Sequence, residues 1–175
     1  MKMNPPKKIQ KQTDQKISKK TKNKLEAKIL RFLSYKSRTV SETREAGHKY
    51  LRNYKSLSKA EKEQLINEIL EPLKEAGYLD DVDYAASYIR EQKQRSLPRG
   101  PYYIFSFLRT KGLERDLIQK SLEENYSDED QEKCIRNLIR KKNDKPKDKL
   151  IAYLLRRGFS KHLVYRLVDS NHKNH

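Results

Sequence analysis

Tryptophan is absent, cysteine occurs once, and only five glycines punctuate 175 residues. The lone Cys134 excludes an intramolecular disulfide, and with His48, His162, His172 and His175 scattered no metal-ligand spacing appears. No apolar run approaches the length that spans a bilayer, and the lysines at 2, 7, 8, 11, 16, 19 and 20 precede no apolar stretch of a secretory leader. The sequence also lacks a phosphate-cradling Gly-rich loop and any recognisable Ser-His-Asp or Cys-His-Asp constellation. These absences lead us to expect a cytoplasmic protein that is not an enzyme and uses no cofactor.

Acids are scarce as well. Lysine and arginine total 41 against 24 acidic residues, a formal charge of +17. Such an excess favours phosphate-rich partners through charge neutralisation and counterion release, although surplus lysine also serves solubility alone. The charge is segregated: residues 114–132 hold eight acids against two bases, and residues 136–166 hold eleven bases against two acids. Segregation favours oriented binding over mere solubility.

What is present is helical periodicity. Residues 1–20, with Pro5, Pro6, seven lysines and almost no apolar side chains, read as a disordered tail. Thereafter Leu25, Ile29, Phe32 and Leu33 form one helical stripe, and Leu65, Ile66, Ile69, Leu70 and Leu73 another. A more polar helix lies between them within Arg38 to Tyr54, with Val40, Ala46, Tyr50 and Leu51 as its buried candidates. The segments 103–122 and 149–168, 46 residues apart, superpose their apolar positions and also align Lys111-Gly112 with Arg157-Gly158. Each reads as a helix closed by a glycine with positive φ and followed by a second helix, for which Ser160 is a natural N-cap in the later copy. A further helix precedes each pair, carrying Val82, Ala85, Ala86 and Ile89 in one case and Cys134, Ile135, Leu138 and Ile139 in the other. The expected fold is all-α: three tandem three-helix repeats at 21–77, 78–126 and 127–170, stacked into an elongated, curved monomer, with 171–175 a flexible end.

Candidate functional residues follow from charge and spacing. Arg90, Lys93, Arg95 and Arg99 line the first helix of the middle repeat and the loop after it. Lys145, Lys149 and Arg156, spaced by four and seven, are expected to share a helical face opposite Leu150, Ile151, Leu154 and Leu155, while Arg140, Lys141, Lys142, Arg157, Lys161 and Arg166 enlarge the same basic surface. A solvated helix face accounts for such residues too. In the run Tyr102, Tyr103, Phe105 and Phe107, helical spacing sends Ile104, Phe107 and Leu108 inward and leaves Tyr102 or Tyr103 to stack on exposed bases. Asp80, Asp81 and Asp83 suit the start of a helix better than a metal site, because carboxylates favour the positive end of the helix dipole.

The stretch LKEAGYLDDVDYAASYIREQKQRSLPRGPYYIFSFLRTKGLERDLIQKSLEE, residues 73–124, resembles the central motif of the RecX regulators. The order runs Gly-Tyr-Leu-Asp80-Asp81, then Tyr84-Ala85, an Arg-rich helix end, Gly100, and a Lys-Gly112-Leu junction. YLLRRGFSKHLVYRLV, which contains Gly158, and LSYKSRTVSETREAGHKYL resemble that family's flanking repeats, so the resemblance covers about 22–170. It implies tandem three-helix repeats and restraint of the recombinase RecA on single-stranded DNA. Tyr54-Lys55-Ser56 departs from the family's Lys-Gly junction, and the lysine tail lies outside the resemblance. Two other readings use the same features. A helix-turn-helix DNA reader would need base-reading Asn, Gln or Arg at the start of the helix after Gly112 or Gly158, and none is evident there. A basic RNA-binding protein would share the charge without the repeat.

Overall fold

The structure, a computed structural model, describes the backbone of residues 7–173 and the side chains of residues 19–171. The described residues form nine α-helices and no strand, as the apolar periodicity requires. They are α1 (Lys7–Leu33), α2 (Val40–Leu51), α3 (Lys59–Glu75), α4 (Asp81–Gln94), α5 (Pro101–Thr110), α6 (Arg115–Asn125), α7 (Asp128–Lys141), α8 (Lys147–Arg156) and α9 (Lys161–Lys173). Consecutive threes pack on one another, and the chain divides into two compact units, Met1–Asp80 and Asp81–His175. No described helix is long and apolar enough to cross a membrane.

The first unit is built by α1, α2 and α3. Both apolar stripes converge: Leu25 and Ile29 of α1 meet Leu65, Ile66, Ile69, Leu70 and Leu73 of α3, with Leu51 and Leu79 completing the core. Each fully buried Leu or Ile contributes about 1.5–3 kcal/mol, against about 0–1 kcal/mol for an exposed ion pair such as Lys22–Glu68, so packing decides this fold. The polar α2 is held otherwise. Thr39 and Glu42 form a capping box at its start, Ser58 and Glu61 do the same for α3, and each satisfies backbone N–H groups that helix geometry leaves unpaired. Gly47 lets α2 approach α3 closely, since a Cβ there would lie 3.0 Å from Ile66 Cγ1.

The second unit joins α4 to α9 around one core. Ala85, Ile89, Ile104, Leu108, Leu113 and Ile118 supply one part, and Ile135, Leu138, Leu150, Leu154, Phe159, Leu163 and Val164 the other. Cys134 lies buried within it, its thiol pushed up from the ordinary range by burial. Gly112 and Gly158 both adopt positive φ, 80° and 87°, ending α5 and α8 as the repeat requires. Gln131 of α7 is buried and accepts from the N–H and the hydroxyl of Ser160, immediately before α9.

Four sequence expectations are corrected. Helix α1 starts at Lys7, so the segment read as a disordered tail is helical from there to residue 20, while residues 1–6 lie outside the described set. Lysine and glutamine are good helix formers, and no Gly or Pro intervenes between Lys7 and the packed part of the helix. Residues 171–173, read as a flexible end, belong to α9. Val82 is 55% exposed because the inward face of α4 is carried by Ala85, Ile89 and Gln92. Lys145 precedes α8 in the turn that Pro146 enforces, so it does not share a helical face with Lys149 and Arg156.

Candidate nucleic-acid interface

The loop from Ser96 to Arg99, between α4 and α5, is fixed by side chains of neighbouring elements. Lys141 of α7 donates to the Ser96 carbonyl at 2.9 Å. Arg157, at the end of α8, donates through Nη2 to the Leu97 carbonyl and through Nε to that of Pro98 at 2.7 Å. The Tyr126 hydroxyl donates to the Arg99 carbonyl at 2.9 Å. Every carbonyl of this short loop thus meets a side-chain donor, which compensates backbone that no helix can satisfy. The next residue, Gly100, donates its N–H to the Arg157 carbonyl at 2.9 Å, and Tyr102 N–H reaches the Gly158 carbonyl at 3.0 Å.

So held, the loop presents Arg95 and Arg99 at the edge of an aromatic face. Tyr84 and Tyr88, one turn apart on α4, bring half-buried rings to it. Tyr88 stacks on Phe107 of α5 with centroids 4.4 Å apart and planes within 10°. Arg99 lies 4.1 Å over the Tyr103 ring, Lys111 lies 5.4 Å over Phe107, and Arg157 lies 5.6 Å over Tyr153. Burial pushes the Tyr88 phenol up to about 12, with Tyr103 and Glu91 adding to the effect, so it remains a neutral hydrogen-bonding group near neutral pH. Cations alternating with ring faces are the chemistry that single-stranded nucleic acid requires, because phosphates meet the charges and unpaired bases meet the rings.

Electrostatics favour an anionic visitor. Burial lowers the Arg157 guanidinium from its ordinary range, and the positive charges of Arg99 and Arg95 lower it further, although Tyr153 opposes both. Glu91, 3.6 Å from Arg95, is the acid that this edge carries. Like charges gathered around one loop repel, and a phosphate backbone relieves that repulsion.

The remaining candidates divide by what they touch. Lys93 is turned inward to Asp130 and the Asn125 carbonyl, and Arg157 is only 9% exposed, so both brace the unit. Arg90 lies 4.0 Å from Asp83 and Arg166 pairs with Glu132. Lys161 lies 5.9 Å from the Tyr165 ring. Arg140, Lys149 and Arg156 are exposed, while Lys142 and Lys145 are half-buried in or beside the turn before α8. Asp81 and Asp83 occupy the first turn of α4, with Asp80 just ahead of it. Among the described residues no three His, Cys, Asp or Glu side chains gather as a metal site needs.

Sequence reasoning named the charges of this face and offered Tyr103 as a base-stacking ring, but it did not bring Tyr84 and Tyr88 to the same face. It sent Phe107 inward, and the ring does pack against the core, but it is half-buried and its face stacks on Tyr88. The available signal was the spacing of four that links Tyr84 to Tyr88, and Arg99 to Tyr103, Phe107 and Lys111.

No family model matches the chain. It is 32% identical over 149 residues to the regulatory protein RecX of a Geobacillus species, an alignment covering 81% of this chain and 51% of that protein. It is 34% identical over 145 residues to the regulatory protein RecX of Listeria monocytogenes, covering 78% of this chain and 50% of that one. The chain therefore spans about half the length of the curated relatives it matches. A crystal structure of a regulatory protein RecX superposes with a TM-score of 0.69 at 27% identity, over 97% of this chain and 81% of that one. The crystal structure of RecX from Lactobacillus salivarius gives 0.66 at 25% identity, over 85% and 95%.

Proposed function

The chain belongs to the RecX family of regulatory proteins, and from that premise we propose that it restrains the recombinase RecA by binding RecA together with its single-stranded DNA. The observation that carries this reading is the interleaving of Tyr84, Tyr88, Tyr103 and Phe107 with Arg95, Arg99 and Lys111 on one face of the second unit. The protein makes and breaks no bond in this account. Phosphates settle on the Arg95–Arg99 edge, an unstacked base lies on an exposed part of the aromatic face, and strand so held is withheld from the recombinase. The exposed Arg140, Lys149 and Arg156 extend the phosphate track along α7 and α8. On the same reading the protein works in the cytoplasm as a monomer, and residues 21–77, 78–126 and 127–170 are tandem copies of one unit.

Fluorescence anisotropy with a labelled oligodeoxythymidylate tests the DNA half directly. Affinity is expected to fall linearly on a log–log salt plot, with the slope shrinking by about 0.7 for each phosphate that Arg95→Gln or Arg99→Gln no longer neutralises. A slope that stays the same in the double variant would remove this face from the account.

A further inference from the structure

We propose that the groove between α5 and α6 docks a protein segment presenting a bulky apolar side chain beside lysine or arginine. This site is separate from the aromatic-basic face; Tyr126 contributes its ring to the groove and its hydroxyl to the Arg99 carbonyl. On α5 the rings of Tyr102 and Phe105 fall on a different side from Tyr103 and Phe107, as the 3.6-residue turn requires. Together with Pro101, Leu122 and Tyr126 they line a groove of about 480 Å³, a volume suited to one or two side chains of a partner. Tyr102 is 66% exposed, so its ring is open to a partner seated in the groove.

The rim specifies the partner. Glu123 and Asp128 flank the apolar floor toward α7, with Arg115 at the opposite end. Beyond them lie Glu114, Asp116, Glu124 and Glu129, all exposed, in the stretch where acids outnumber bases although the chain as a whole is at +17. Nucleic acid is repelled by such a rim, whereas a basic segment is drawn to it. The aromatic floor then supplies the desolvated anchor on which affinity of this kind rests. An acidic partner would be directed to the opposite charge pattern, the Arg95–Arg99 edge.

Amide shifts in the NMR spectrum of the full chain test the proposal, with two blocked peptides as probes. One holds Leu and Phe flanked by Lys, and the other has Glu in place of each Lys. The Lys peptide is expected to shift Phe105, Gln119, Leu122 and Glu123, and to bind about tenfold more weakly to Tyr102→Ala and to Glu123→Lys. Both positions are exposed, so the variants keep the fold, and unchanged amide dispersion checks this. Equal shifts from both peptides, no groove shifts at millimolar peptide, or affinities unchanged in both variants would each overturn the proposal. So would a single-stranded oligonucleotide that shifts these groove amides in place of the peptide.

Discussion

Gly100 and Gly158 meet backbone to backbone in the second unit. A Cβ on Gly100 would overlap the Gly158 carbonyl group, and a Cβ on Gly158 would overlap the Tyr103 backbone. Their contact seats the Ser96–Arg99 loop on the end of α8, and thereby sets Arg99 over Tyr103.

Alanine at these two positions is therefore expected to cost more than its conformational penalty. Gly77 provides the control, because its φ is 74° but nothing lies within 4 Å of the missing side chain. Gly77→Ala should lose about 1 kcal/mol, the ordinary cost of a side chain at positive φ. Gly158→Ala should lose clearly more, and Gly100→Ala should be destabilised although its φ of −83° is ordinary. Denaturant titration ranks the three, and equal losses at Gly77 and Gly158 would mean that the close approach is not tight.

Arg157 and Arg99 should separate stability from binding. Removing Arg157 leaves the Leu97 and Pro98 carbonyls without their donor, so Arg157→Met is expected to cost about 2 kcal/mol or more. Arg99→Gln should leave the melting temperature nearly unchanged and weaken oligonucleotide binding. Thermal melts and anisotropy on the same samples check both, and the reverse pattern would exchange their roles.

The ring at position 103 is expected to act through its face. Tyr103→Phe should bind single-stranded DNA as the parent does, whereas Tyr103→Ala should lose about 1–3 kcal/mol, the usual worth of one base–aromatic stack. Equal binding by all three would assign Tyr103 to packing under Arg99 alone.

Tyr88 gives a pH signature with a definite sign. Its folded value, about 12, lies above the ordinary 10.0, so the neutral phenol is favoured by folding. That contribution is complete below pH 10 and is lost as pH rises through 12. Denaturant titration at increasing alkaline pH should show parent stability falling faster than that of Tyr88→Phe over this interval. Parallel curves would show that burial does not perturb Tyr88.

Much of this architecture was legible in the residues themselves. Leu65, Ile66, Ile69, Leu70 and Leu73 advertise a buried helical face, and the Gly112 and Gly158 junctions follow from a basic residue, a glycine and an apolar residue in sequence. The charges of the site were legible too, because lysine and arginine runs need no partner to be noticed. What escaped was their division of labour. Lys93, Arg157 and Lys141 look like surface cations, but their donors end on Asp130, on the Leu97 and Pro98 carbonyls, and on Ser96, hydrogen bonds that span 32 to 60 residues of chain. Helical periodicity reports only which way a side chain leaves its own helix. The stacking of Tyr88 on Phe107 was hidden for the same reason, as was the passage of α1 back to Lys7 through a segment with little to bury.

The central claim is that the aromatic-basic face restrains RecA on single-stranded DNA. RecA-driven strand exchange, followed as the protein is titrated to saturation, tests it most directly when the parent is compared with a triple variant carrying Arg95→Gln, Arg99→Gln and Tyr103→Ala. The account predicts that the parent suppresses exchange in proportion to its amount and that the folded triple variant is at least about tenfold less effective. Exchange unaffected by the parent, or suppressed equally by both proteins, would contradict it.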